Sequence, residues 1–166
     1  HSIKLCATLV LQCKSIMNNY HSQLIELTKT LCDIYSPLGQ EKNICDFLLH
    51  WVSLNAPSYV CKRIENSIII LPKDPNRNKK NLLLVGHIDT VPAQKEFTPT
   101  IETSIALEGL GASDMKGGDA VLLLLLQASD TVSFHYNLNA ILYEKEEGAF
   151  LDNGMKKIIA ASPLPK

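Results

Sequence analysis

Three short stretches of this sequence carry side chains able to hold a metal ion or move a proton: Gly86-His87-Ile88-Asp89, Ser113-Asp114 and Glu146-Glu147-Gly148. Imidazole nitrogen and carboxylate oxygen both ligate zinc, and a carboxylate beside a histidine can hold its second ring N–H and fix the tautomer. Side chains two apart on a strand share a face, so His87 and Asp89 can enter one pocket if the strand runs through them. Taken singly, each stretch has an ordinary explanation. A histidine at a strand end is commonly a hydrogen-bonded structural residue. An aspartate before a helix is by default an N-cap, whose oxygen satisfies first-turn N–H groups. Glu146-Glu147 reads by default as a solvated acidic loop. What the three share is their setting, at the end of a predicted strand and beside glycines where backbone can approach a ligand. Their conjunction is the signal.

The elements that must position these groups follow from the hydrophobic pattern. Leu24, Leu27, Leu31 and Ile34 predict an amphipathic helix from about residue 18 to 35, ended by Ser36-Pro37-Leu38-Gly39. Ile44, Phe47, Leu48 and Trp51 predict a second, from about 41 to 54. Residues 59–64 and 67–71 read as strands joined at Glu65-Asn66, and 72–80 as a polar surface loop. Leu82 to Val85 is a continuous apolar run, expected of a strand buried on both faces. His87 and Asp89 follow it directly, at the strand end where open α/β sheets place ligands. A short strand at 104–108, a flexible glycine-rich turn to Asp114, an apolar helix at 115–128, a half-buried strand at 134–143 and a last helix at 151–161 complete the reading. Helices and strands mixed in this order predict an α/β layer architecture.

Composition narrows the classes. The 166 residues are 46% hydrophobic and 20% charged, and 16 basic against 17 acidic residues leave a formal charge of −1. No positive field gathers phosphates, which argues against nucleic-acid and membrane-surface roles. No apolar run approaches the roughly 20 residues of a bilayer span. Five cysteines at irregular spacings, without a CxxC pair, read as reduced thiols of a cytoplasmic protein. Cys61 has no nearby base and reads as core. No GxSxG elbow, P-loop or GxGxxG fingerprint occurs, and Lys116-Gly117-Gly118 lacks the frame of a phosphate cradle. Residues 1–16 are expected to be an upstream or non-native extension before Met17. Ser162-Pro163-Leu164-Pro165-Lys166 reads as a cut through a longer chain.

In order and spacing, Gly86-His87-Ile88-Asp89-Thr90-Val91-Pro92, Gly111-Ala112-Ser113-Asp114-Met115-Lys116-Gly117-Gly118 and Glu146-Glu147-Gly148 resemble the dinuclear zinc aminoacylase and peptidase superfamily. That superfamily includes desuccinylases, acetylornithine deacetylases and glutamate carboxypeptidases, and the resemblance runs from about Met17 to the end. It implies a layered α/β/α zinc-peptidase-like catalytic domain over 17–166, N-terminal part only, without the lid and dimerisation domain. It implies two divalent ions, zinc with cobalt or manganese as options. His87 would ligate one, Asp114 bridge both, Glu147 ligate the second, Glu146 act as general base and Asp89 orient His87.

Within the superfamily the text is most similar to bacterial succinyl-diaminopimelate desuccinylases. That implies amide hydrolysis of a small N-acyl amino acid in lysine and diaminopimelate biosynthesis, by a homodimer at full length. An acetylornithine deacetylase or dipeptidase is the alternative within the superfamily; a non-catalytic relic or interaction module is the alternative of another class. The family's further ligands, a later carboxylate and a distant histidine, do not occur in this sequence, so the chain alone is expected to hold metal poorly and to be inactive.

Overall fold

The computed structural model describes residues 19–161. The expected extension at 1–16, with Cys6 and Cys13, and the terminal stretch 162–166 lie outside the described residues. Helix α1 (19–33) buries Leu27, Leu31 and Cys32. Helix α2 (Lys42–Asn55) buries Ile44, Cys45, Leu48 and Val52, and the N–H of Ala56 closes it on the Val52 carbonyl. The buried stripe is therefore turned by about one position from the expected one. Phe47 and Trp51 lie at its rim, half-buried against the core.

Strands β1 (Tyr59–Ile64) and β2 (Ser67–Pro72) form the expected hairpin, with Glu65 at φ 53° in the turn. Mirror-type hairpin turns need such a positive φ. A four-stranded sheet is completed by β3 (Lys80–His87) and β6 (Tyr136–Tyr143), in the order β1-β2-β6-β3. The β1/β2 and β2/β6 pairs are antiparallel, and β3 runs parallel to β6 in a register that sets His87 beside Tyr143. Strands β4 (Ile101–Glu102) and β5 (Leu107–Glu108) form a separate small pair where one strand was expected.

Side chains alternate across the sheet into two cores, which makes the predicted layers visible. Ile68, Ile70, Leu138, Ala140 and Leu142 pack with α1, α2 and helix α3 (Gly117–Ala128) on one face. Ile69 and Ile141 pack with Ile158 of helix α4 (Gly154–Ala161) on the other. Two strand expectations are corrected here. β6 is buried continuously from Leu138 to Leu142, because it is interior to the sheet and covered on both faces. β3 pairs only with β6 among the described residues, and Leu82 and Val85 are 41% and 44% exposed. Helix α3 begins at Gly117, two residues late, because Asp114 and Met115 take non-helical dihedrals in a wide turn over Ala112–Lys116. That turn is an ordered structure entered through Gly111 at φ 79°, where a flexible segment was expected. No helix among the described residues is long and apolar enough to cross a membrane.

Candidate metal centre

His87 is the last residue of β3 and is 5% exposed. Its backbone N–H donates to Met115 Sδ at 3.3 Å, which ties the strand end to the turn before α3. Its ring is held from both sides. Nδ1 lies 3.1 Å from the main-chain oxygen of Asp89, and Nε2 lies 3.0 Å from Asp114 Oδ1. With Nδ1–H engaged by a carbonyl, Nε2 is the nitrogen left to face a cation.

Asp89 lies beyond the strand and is fully buried. Its Oδ1 is 3.6 Å from His87 Nδ1. Its two oxygens accept the backbone N–H groups of Glu146 and Glu147, each at 2.9 Å. One carboxylate thus stands beside the imidazole and fixes the acidic loop at the end of β6. Burial pushes the Asp89 carboxyl up, but His87 and those two N–H donors outweigh it and hold it below the ordinary carboxylate range.

The loop so fixed brings Glu146 and Glu147 to the histidine: one ligand atom from each of His87, Glu146 and Glu147 falls within 4.8 Å of the others. Asp114 joins through its contact with His87, and its side chain is 74% exposed. The turn gives it no capping role; α3 has Lys116 at its N-cap position and no side-chain cap bond. The three expected ligands, His87, Asp114 and Glu147, and the expected base, Glu146, therefore lie together, and Asp89 holds the main chain of two of them.

The electrostatics favour positive charge among these groups. Burial alone would lower the imidazole pKa of His87, but its hydrogen bonds to the Asp89 and Asp114 carboxylates, with the Asp89 and Glu146 charges nearby, raise it to about 9. Burial and the neighbouring charge of Asp114 push the Glu147 carboxyl up. Four carboxylates around one imidazole repel each other unless positive charge is supplied. This mixed nitrogen and oxygen donor set fits zinc, cobalt or manganese.

The supporting shell contains residues that sequence reasoning did not single out. Ser36 Oγ donates to the Ile88 carbonyl at 2.9 Å, and the Thr90 N–H donates to the Ser36 carbonyl at 3.0 Å. Lys116 is fully buried and donates from Nζ to the Ile34 carbonyl at 2.8 Å. Asp119, 1% exposed, has no hydrogen-bond partner for either carboxyl oxygen among the described residues. It presses on Gly86, where an added Cβ would meet Asp119 Oδ1 at 2.1 Å. Burial raises its carboxyl to about 8, against the opposing charges of His87 and Lys116. A signal was present: Lys116 and Asp119 are charges at the head of an apolar helix, and charges are rarely buried without a local task.

Comparison with known proteins gives the family and the fold. The profile of peptidase family M20/M25/M40 matches residues 83–165. Over 136 residues the chain is 36% identical to a succinyl-diaminopimelate desuccinylase of Corynebacterium glutamicum, an alignment covering 81% of this chain and 36% of that one. The chain thus spans about a third of that curated relative's length. Among solved structures, a dipeptidase from Saccharomyces cerevisiae superposes with a TM-score of 0.67 at 17% identity, over 88% of this chain and 35% of that one. A dinuclear metal-binding M20 peptidase from Bacillus subtilis gives 0.59 at 15% identity, over 86% and 40%. These two likenesses concern the fold, which is that of the M20 catalytic domain. The matched profile begins inside β3 and takes in every donor described above, so the chain belongs to peptidase family M20/M25/M40.

Proposed function

We propose that this chain supplies the first donors of a dinuclear metal site in an amide hydrolase acting on a small N-acyl amino acid, with N-succinyl-L,L-2,6-diaminopimelate as the leading substrate. The observation that carries this reading is the meeting of His87, Asp114, Glu146 and Glu147 in one cluster from three distant stretches of chain. The substrate rests on the relative's 36% identity. The activity is proposed for a protein of that relative's length, acting as a homodimer, and zinc is the first metal, with cobalt or manganese as options.

His87, Asp114 and Glu147 would hold the ions, Asp114 between them. When bound, such ions lower the pKa of a shared water and polarise the amide carbonyl. The chain's own residues do the rest. Glu146 stands among the donors with its side chain exposed, as a general base must to take a proton from the attacking water and return it to the leaving amine. Asp89 holds the main chain of Glu146 and Glu147, so the base and its neighbouring ligand keep fixed positions while pointing different ways. Asp89 also keeps His87 presenting Nε2 through its own carbonyl.

The test is Glu146→Gln in a version carrying the relative's full length. Turnover of N-succinyl-diaminopimelate should fall by about 10²–10⁴-fold while zinc content is kept. Unchanged turnover removes the base assignment. Succinyl, acetyl and dipeptide substrates offered at equal concentration decide the acyl group, and preference for either of the latter two overturns the substrate reading.

A further inference from the structure

The buried lysine at the foot of the Asp114 turn has no part in the reading above. Lys116 is among the largest side chains with no exposure, yet one acceptor, the Ile34 carbonyl at 2.8 Å, is found for its three N–H donors among the described residues. A buried ammonium with one partner is poor design for stability, since an apolar side chain of similar length in such a place is commonly neutral or stabilising. Its position suggests another use. Ile34 follows the last residue of α1, where the final carbonyls lack helical partners and carry the negative end of the helix dipole. The Lys116 ammonium satisfies one of them from 82 residues away.

The same short tail of α1 also grips the other side of the site. Ser36 Oγ holds the Ile88 carbonyl, and Ser36 and Leu38 exchange backbone hydrogen bonds with Thr90 at 3.0 and 3.1 Å. Those contacts bracket Asp89 and follow His87 directly. The tail at 34–38 is thus a common anchor: one arm fixes the His87–Asp89 segment and the other, through Lys116, fixes the turn that bears Asp114. Gly111, which opens that turn, lies against the lysine's stem, since a Cβ there would be 3.2 Å from Lys116 Cδ and 2.7 Å from Thr90 Cγ2.

We propose that Lys116 is a positioning residue, which clamps the Asp114 turn to the end of α1 and so sets the Asp114 carboxylate against His87. The clamp rests on the metal-centre reading for its purpose, but its geometry is testable without metal. The experiment compares the unsubstituted chain, Lys116→Met and Asp114→Asn by long-range imidazole ¹H–¹⁵N spectra, thermal unfolding and cobalt titration followed in the visible. Lys116→Met should unfold at the same or a higher temperature, shift its His87 ring resonances toward those of Asp114→Asn, and need at least about 10-fold more cobalt for half-saturation. His87 resonances and a cobalt isotherm equal to those of the unsubstituted chain overturn the proposal. If Lys116→Met does not fold, Lys116→Gln, which keeps an N–H donor on a shorter arm, is read the same way. Failure of both to fold also overturns it, because a clamp that only positions Asp114 is dispensable for folding. An unsubstituted chain that takes up no cobalt, with His87 resonances that still respond to Lys116→Met, leaves the clamp standing, and the metal reading is then decided by cobalt uptake at the relative's full length.

Discussion

At the scale of single residues, the contact between Gly86 and Asp119 sets a sharp steric condition. A methyl group at 86 would fall 2.1 Å from Asp119 Oδ1 and 3.1 Å from Leu142 Cδ2, so Gly86→Ala must displace the carboxyl or the strand end. We expect a loss of about 1–3 kcal/mol by urea unfolding, reduced in an Asp119→Ala background because the two sites share one space. Asp119 also gives the protein a pH signature. Its carboxyl, raised by burial to about 8 in the folded chain, ionises near 3.9, the ordinary aspartate value, when unfolded. The folded state keeps a proton that the unfolded state has released, so this group's contribution falls as pH rises from about 4 to about 8. Melting temperatures of Asp119→Asn should therefore lose that decline and exceed those of the unsubstituted chain most clearly at pH 8. Parallel pH profiles for the two would show that Asp119 does not titrate this way.

At the scale of elements, the amphipathic helices and the first hairpin were legible because their patterns are local. Tyr59–Ile64 and its turn at Glu65-Asn66 need only β-rich side chains and a chain reversal. The errors lie where a neighbour decides. Leu82–Val85 and Leu138–Leu142 are both largely apolar, and only sheet order makes the first an exposed margin and the second an interior strand. The proximity of His87, Asp114, Glu146 and Glu147 was legible because the motifs carry these residues. The clamp at Lys116 and the grip of Ser36 were not, because their partners lie 82 and 52 residues away. Helix α3 supports a prediction of its own. Leu123 is fully buried and Val121 is 45% exposed, so Leu123→Ala should cost about 2–5 kcal/mol and Val121→Ala under about 0.5. Equal costs by denaturant titration would mean that α3 presents a different face to the sheet.

For the whole molecule, the proposed metal centre joins β3, the turn before α3 and the loop after β6, so an ion bound there would stabilise the folded chain as a unit. Zinc should raise the melting temperature by mass action, weakly in the 166-residue chain, whose donors are few for two ions. A proton competes for His87, whose pKa is raised to about 9, so the shift should be larger at pH 8 than at pH 6. A zinc shift independent of pH, or tight uptake of two ions, would contradict this balance.

The position of β3, which pairs with β6 alone among the described residues, has a further consequence. A strand added along Lys80–His87 would run beside the residue that carries the imidazole and bring its own terminal side chains to that flank. Leu82 and Val85 are exposed on this strand, and an edge of that kind favours pairing with a further strand. An added strand would therefore complete the sheet and flank the imidazole at once, so a single addition would both cover the edge and shape the approach to His87.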